Sequence, residues 1–227
     1  MTKTDMSEKG LEDLIVAALT GQDTSFGSQP DGILEKPAVP YGQSVYVLGD
    51  SVHYDKDHAV DLDKLLRFLR ATQPKVVEQL ALDVDGPRRR AFLARLQGQI
   101  TARGIIDVLR KGVEDGPVAV DLFYGTPSPG NPKAAQLFNA NVFSVTRQLH
   151  YSRDESGLAL DLCLFINGLP VVTFELKNRL TKQTVDDAVR QYKRDRDPRD
   201  LLFRFGRCLA HFAVDDQEVR FCTHLKG

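Results

Sequence analysis

Leu160-Asp161-Leu162-Cys163-Leu164-Phe165-Ile166-Asn167-Gly168-Leu169-Pro170-Val171-Val172-Thr173-Phe174-Glu175-Leu176-Lys177-Asn178 is the stretch on which the reading of this chain turns. Two apolar, strand-like runs flank an Asn-Gly turn. The first run carries one carboxylate, Asp161, and the second ends in Glu175-Leu176-Lys177. An apolar strand has no packing use for such charges. Burying one alone is costly, so they are expected to be paired or to hold a metal. Two carboxylates and an ammonium on a small sheet are the parts of a metal-dependent phosphodiesterase.

Side chains alternate along a strand. Glu175 and Lys177 therefore share a face with Val171 and Thr173, while Phe174 and Leu176 point the other way. The hairpin decides where Asp161 goes. A two-residue Asn167-Gly168 turn pairs Ile166 with Leu169 and sets Asp161 opposite Phe174, with the carboxylates on opposite faces. A three-residue loop pairs Ile166 with Pro170 and sets Asp161 across from Glu175. Asn-Gly favours the shorter turn. Pro170 lacks an N–H and weakens the ladder beside the turn, which leaves room for a longer loop or a bulge. The bland alternative is a hairpin with stray charges at its rim.

Working outward, Leu11, Leu14, Ile15, Ala18 and Leu19 predict an amphipathic helix with Ser7 as its cap. Glu8 and Glu12 lie four apart on it. Glu8 stands three residues before Leu11 and so projects from the apolar face. Either it supplies favourable charge at a helix start, or it aims a carboxylate across the sheet at a metal. Residues 22–43 read as a Gly/Pro/Ser/Gln-rich loop, and Val45-Tyr46-Val47-Leu48 as a short strand. Between Asp61 and Lys111 the period is helical, punctuated by Gly86-Pro87 and Gly104. This predicts a helical insertion at about 59–112. Val118 to Phe123 reads as a strand and 125–132 as a loop. Asn141 to His150 is the strand before the hairpin, and Thr184 to Arg194 a helix after it. Phe205 to Val214 and Glu218 to Leu225 read as closing strands. The fold class expected is α/β: a restriction-endonuclease-like mixed sheet core flanked by helices.

With 227 residues and 42% apolar content, the chain is sized for one domain with a sizeable core. A net charge of −1 gives no strong positive field, so nucleic acid would be held by local basic patches or delivered by a partner. Cys163, Cys208 and Cys222 are odd in number and far apart, which suggests neither a disulfide framework nor a zinc site. Cys163 is most simply a core residue. No apolar run is long enough to span a membrane. A reducing cytoplasm is the compartment expected. No Gly-x-x-x-x-Gly-Lys-Ser/Thr phosphate loop occurs. The histidines His150, His211 and His224 have no ligand-like spacing and read as structural. Arg88-Arg89-Arg90 reads as a solvated helix face, whereas Lys193-Arg194-x-Arg196 follows the helix after the motif and is placed for phosphate contact. Asn178, at the strand's end, either touches DNA or caps the strand in solvent.

Several of these runs together resemble a known family. They are Asn141-x-x-x-Val145-x-Arg147-Gln148-Leu149-His150-Tyr151-Ser152, then Leu160-Asp161-Leu162 with Phe165-x-Asn167-Gly168-Leu169-Pro170-Val171. Glu175-Leu176-Lys177-Asn178 and Gln191-Tyr192 with Asp195-Arg196-Asp197-Pro198 complete the set. The pattern is similar to the amino-terminal nuclease domain of type I restriction enzyme R subunits, closely over the second half of the chain. Over the first half it is looser, through Gln73-Pro74 and Gly104 to Arg110. The resemblance implies a PD-(D/E)xK nuclease that cuts double-stranded DNA with Mg²⁺, using Asp161, Glu175 and Lys177 as its catalytic set. Residues 1–227 then form a single nuclease domain. An ATP-dependent translocase is implied further along the same polypeptide, outside these residues, with methyltransferase and specificity subunits as partners. Many relatives carry Gln-x-x-x-Tyr in the helix after the active site. Here Ala188 stands four before Tyr192 and the nearest glutamine is Gln191, so a coupling role falls on Gln191 and Tyr192 only in altered form.

A hard cation such as Mg²⁺ takes oxygen ligands and keeps several waters. Asp161, Glu175 and the backbone carbonyl of Leu176 are the expected ligands, with Glu8 or Glu12 for a second ion. Lys177 is expected to orient the attacking water and stabilise the charge of the transition state. Two other readings stay open. One is a non-cleaving docking module for a restriction complex; the other is a stand-alone repair or recombination nuclease of the same fold.

Overall fold

The computed structural model describes residues 8–21, 46–154, 157–179 and 182–226. Among them are the helices α1 (Glu8–Thr20), α2 (Leu62–Thr72), α3 (Pro74–Gln79), α4 (Pro87–Arg103), α5 (Ile105–Lys111), α6 (Pro132–Asn139) and α7 (Val185–Arg194). The strands are β1 (Val47–Leu48), β2 (Tyr54–Asp55), β3 (Val60–Asp61), β4 (Val113–Asp115), β5 (Val118–Val120), β6 (Phe143–His150), β7 (Ala159–Ile166), β8 (Leu169–Leu176), β9 (Ala210–Val214) and β10 (Val219–Cys222). Six of them form one mixed sheet in the order β1-β6-β7-β8-β9-β10. β1 runs parallel to β6 and β9 parallel to β8, and the other pairs are antiparallel. The parallel β8–β9 pair needs a crossover, which α7 supplies. This is the mixed sheet flanked by helices that the element order predicts.

The central hairpin reconciles the two registers left open by the sequence. Asn167 and Gly168 both take left-handed backbone angles, φ 51° and 80°, as a two-residue hairpin turn requires. Ile166 pairs with Leu169 and Phe165 with Pro170. A bulge follows, because Leu164 pairs with Val172 and Val171 is left as the extra residue. Leu162 then faces Phe174, and one further step along the same register sets Asp161 opposite Glu175. The turn signal is therefore compatible with the register that sets these two residues opposite each other. The bulge sits beside Pro170, the residue with no N–H to give the ladder.

The turn is buried, which is unusual for Asn-Gly. Asn167 is fully inaccessible. Its Oδ1 accepts from the Val142 N–H at 2.6 Å, and its Nδ2 donates to the Leu122 carbonyl and to Asn141 Oδ1, both at 2.9 Å. The Asp61 N–H donates to the Gly168 carbonyl at 2.8 Å. The hairpin tip is thus docked on the start of α2. One sheet face packs Leu162, Leu164 and Leu176 against Val16 of α1 and a helical core around Leu65, Phe68, Leu96 and Ile100. The other packs Cys163, Phe165 and Ala213 against Val185, Ala188 and Tyr192 of α7 and Phe203. Cys163 is a core residue, as expected.

Several boundaries differ from the sequence expectation. In α1 the buried line is Glu12, Val16 and Thr20, whereas Leu14 is 57% exposed and Ala18 exposed. Leu11, Ile15 and Leu19 of the predicted stripe pack against the core, but the most buried line runs through Glu12, which Arg147 and the Gln148 amide hold inside. The strand expected over 118–123 stops at Val120 and pairs only with β4, as a separate hairpin. Helix α6 falls just after the expected 125–132 loop: Asn131 caps it, its Oδ1 accepting from the Ala134 N–H at 3.0 Å, and Pro132 opens it. The strand expected from Phe205 begins at Ala210, after a 3₁₀ turn at Leu201–Phe203. Ser7, Val45 and the loop at 22–43 lie outside the described residues.

Candidate active site

β7 and β8 end side by side at the edge of a cavity of about 440 Å³, whose walls include Glu8, Glu12, Gln148, Asp161 and Leu176. Asp161 turns Oδ2 into the ladder to accept from the Leu176 N–H at 2.7 Å. Among the described residues its Oδ1 meets a long contact, 3.4 Å, from Gln148 Nε2. Gln148 is itself out of line. Its φ is 45° in the middle of β6, and the β6–β7 pairing passes from Arg147–Leu162 to Leu149–Leu160 around it. That kink turns its amide to donate to Glu12 Oε2 at 3.0 Å. Arg147 donates to Glu12 and Asp13 of α1, so α1 is clamped to β6 by charge as well as by Val16.

Glu175 has no exposed surface. Arg196 Nε donates to its Oε1 at 2.6 Å, while Oε2 is buried with no hydrogen-bond partner among the described residues. Burial pushes the carboxyl up to about 7; Arg196 and Lys177 oppose the rise and the nearby Asp161 charge adds to it. Asp161, Glu175 and Lys177 are therefore electrostatic neighbours. Lys177 leaves the sheet with its N–H bonded to the Val214 carbonyl at 2.8 Å. Its Nζ lies 3.7 Å from Glu8 Oε1. The two α1 carboxylates left undecided by the sequence thus both reach the site. The donor set fits a hard divalent cation: oxygens only, one of them a buried carboxylate oxygen with no hydrogen-bond partner among the described residues.

Other candidates from the sequence fall elsewhere. Arg196 was expected at the phosphate backbone; it is 4% exposed and turned inward. Its place in the basic run Lys193-Arg194-x-Arg196 marks it for phosphate contact, and only the fold reveals its carboxylate partner. Asn178 is likewise buried, not a surface contact. Lys193 and Arg194 are exposed at the end of α7. Tyr192 is buried, its hydroxyl 2.8 Å from Thr173 Oγ1, which also bonds His211 Nδ1 at 2.8 Å. Gln191 is half-buried on the same helix. The residues missed by sequence reasoning are Gln148 and Tyr151, the latter bonded to Arg196. Their signal lay in the family-like run 147–151, which carries no chemical motif of its own.

A second cluster could also hold a metal ion. His53, Asp61 and Asp63 each bring a ligand atom within 4.8 Å of the others. Its charge is already balanced in part, since Lys64 Nζ lies 2.8 Å from Asp63 Oδ2 and Asp61 Oδ1 caps α2.

A family model described as type I restriction enzyme R protein N terminus matches residues 73–227. Among curated proteins none matches the chain. No helix among the described residues is long and apolar enough to cross a membrane.

Proposed function

Because the chain belongs to the family of type I restriction enzyme R protein N-terminal regions, we propose that Asp161, Glu175 and Lys177 form its Mg²⁺-dependent endonuclease site, hydrolysing phosphodiester bonds of double-stranded DNA. The observation that carries this reading is the buried, unbonded Oε2 of Glu175 beside Asp161 and Lys177. A carboxylate oxygen left this way costs stability unless it serves a ligand. A bound divalent cation supplies charge neutralisation at the phosphate and a water of lowered pKa. Glu175 Oε2, Asp161 Oδ1 and the Leu176 carbonyl are the atoms that would hold it. Lys177 orients the attacking water and meets charge on the phosphate. Its Nζ is 3.7 Å from Glu8 Oε1, and Glu8 lines the cavity. Glu8 and Glu12 are the carboxylates available to a second ion. Exposed Lys193 and Arg194 are the DNA contacts of this reading, and Tyr192 with Gln191 stiffens the helix behind the site.

In this reading residues 1–227 are one nuclease domain and α2–α5 an insertion into it. ATP acts through a translocase elsewhere in the R subunit. Methyltransferase and specificity subunits complete the complex in the cytoplasm. The test is cleavage of duplex DNA by the assembled enzyme carrying Asp161→Ala, Glu175→Ala or Lys177→Ala. Each is expected to abolish cutting. Breaking a purely structural buried pair costs about 3–5 kcal/mol of stability, so large melting losses with retained cutting would sink the proposal.

A further inference from the structure

The reach of Arg196 to Glu175 is built, not incidental. Its guanidinium spends all three nitrogens at once: Nε on Glu175 Oε1 at 2.6 Å, one terminal nitrogen on the Tyr151 hydroxyl at 3.1 Å, the other on the Ala159 carbonyl at 2.7 Å. Its carbon also lies 5.4 Å from the centre of the Tyr151 ring. The side chains of Arg196 and Glu175 are 3% and 0% exposed. A free guanidinium prefers to take a carboxylate with two parallel bonds. Here the terminal nitrogens are drawn instead to the Tyr151 hydroxyl and the Ala159 carbonyl. The carboxylate is gripped by one oxygen, and the other has no hydrogen-bond partner among the described residues.

We propose that Arg196 is a positioning residue for metal binding: held by Tyr151 and Ala159, it fixes Glu175 through Oε1 and so presents Oε2 to a divalent cation. This rests on the endonuclease reading above and adds to it a residue from outside the Asp/Glu-x-Lys motif. The opposite arrangement would be a lock, in which Arg196 competes with the cation for Glu175. The two differ in sign. A competing guanidinium weakens cation binding by its charge, so removing it tightens binding. A positioning guanidinium strengthens binding, so removing it weakens binding. Groups that orient a metal ligand are worth about 10–100-fold in metal affinity.

The experiment titrates Mn²⁺ into the chain and counts bound ion by electron paramagnetic resonance, with thermal melts alongside. Wild type is expected to bind an ion that Asp161→Asn abolishes. Arg196→Lys keeps the charge but cannot make the three-way grip, and is expected to weaken binding by about 10–100-fold. Tyr151→Phe removes one arm of the grip while leaving the pair and the packed ring, and is expected to weaken binding by a smaller factor in the same direction. It keeps the test decisive if the lysine variant does not fold. A merely structural role would lower the melting temperature and leave the affinity of the folded protein unchanged. Asp161-dependent binding in wild type with equal or tighter binding in the folded Arg196 or Tyr151 variant overturns this proposal and spares the endonuclease reading. No Asp161-dependent binding in wild type overturns both.

Discussion

The hairpin tip offers the sharpest test of how this fold brings its carboxylates together. Gly168 has φ +80°, and a Cβ built there would lie 2.6 Å from the Leu65 nitrogen and closer still to the Asp61 carbonyl oxygen. These are backbone atoms at the start of α2, which cannot swing aside. Gly130 has the same φ of +80°, and a Cβ there would meet nothing within 4 Å. Gly130→Ala therefore measures the left-handed strain alone, about 1–2 kcal/mol. Gly168→Ala adds the overlap, typically about 1–3 kcal/mol more for overpacking, and endangers the bond from the Asp61 N–H to the Gly168 carbonyl. We expect a loss of about 2–5 kcal/mol for Gly168→Ala. With a slope of about 2 kcal/mol per molar urea, its midpoint falls by about 1–2.5 M, and that of Gly130→Ala by about 0.5–1 M. Urea unfolding followed by circular dichroism reads both. Equal midpoint shifts at unchanged slope would refute the close docking of the tip on α2.

Asn167→Ala removes three buried hydrogen bonds and leaves the Val142 N–H without its acceptor; we expect about 3–5 kcal/mol lost in the same urea assay, against under 1 kcal/mol if the turn were solvent-exposed. His211 is buried and its imidazole is held down to about 4 from 6.5, chiefly by burial, with His224 adding to the effect. Below 6.5 the unfolded chain takes up a proton that the folded chain refuses, so stability falls as pH drops from about 6.5 to about 4, by on the order of 3 kcal/mol. His211→Phe should flatten that limb of the stability–pH curve, and an unchanged limb would contradict the assignment. With net charge −1, the isolated chain is expected to bind duplex DNA weakly and without sequence preference. Lys193→Gln and Arg194→Gln should each reduce the slope of log affinity against log salt by about 1; tight, sequence-selective binding by the chain alone would favour the stand-alone nuclease.

The sequence by itself determined the sheet, because period-two apolar runs and the Asn-Gly turn are local signals, and local signals survive without knowing the fold. It also marked Asp161, Glu175 and Lys177, since charges inside apolar strands stand out wherever the strands end up. It could not decide whether the two carboxylates meet. Turn chemistry specified one register and a face shared by the two carboxylates another. The extra residue at Val171 shifts the ladder from the first to the second, below a tip docked on α2. The inward face of α1 was legible only in part for a related reason. Leu11, Ile15 and Leu19 pack on the core as their spacing predicts, while Leu14 stays exposed and Arg147 and Gln148, on a strand more than 130 residues away, draw Glu12 inside. Arg196 is the clearest case of what tertiary structure alone decided. Its place in a basic run after the helix says phosphate contact, and only the packing of Tyr151, Ala159 and Glu175 around it makes it a buried partner of a carboxylate. A side chain's partners depend on contacts distant in sequence, and a linear pattern does not contain them.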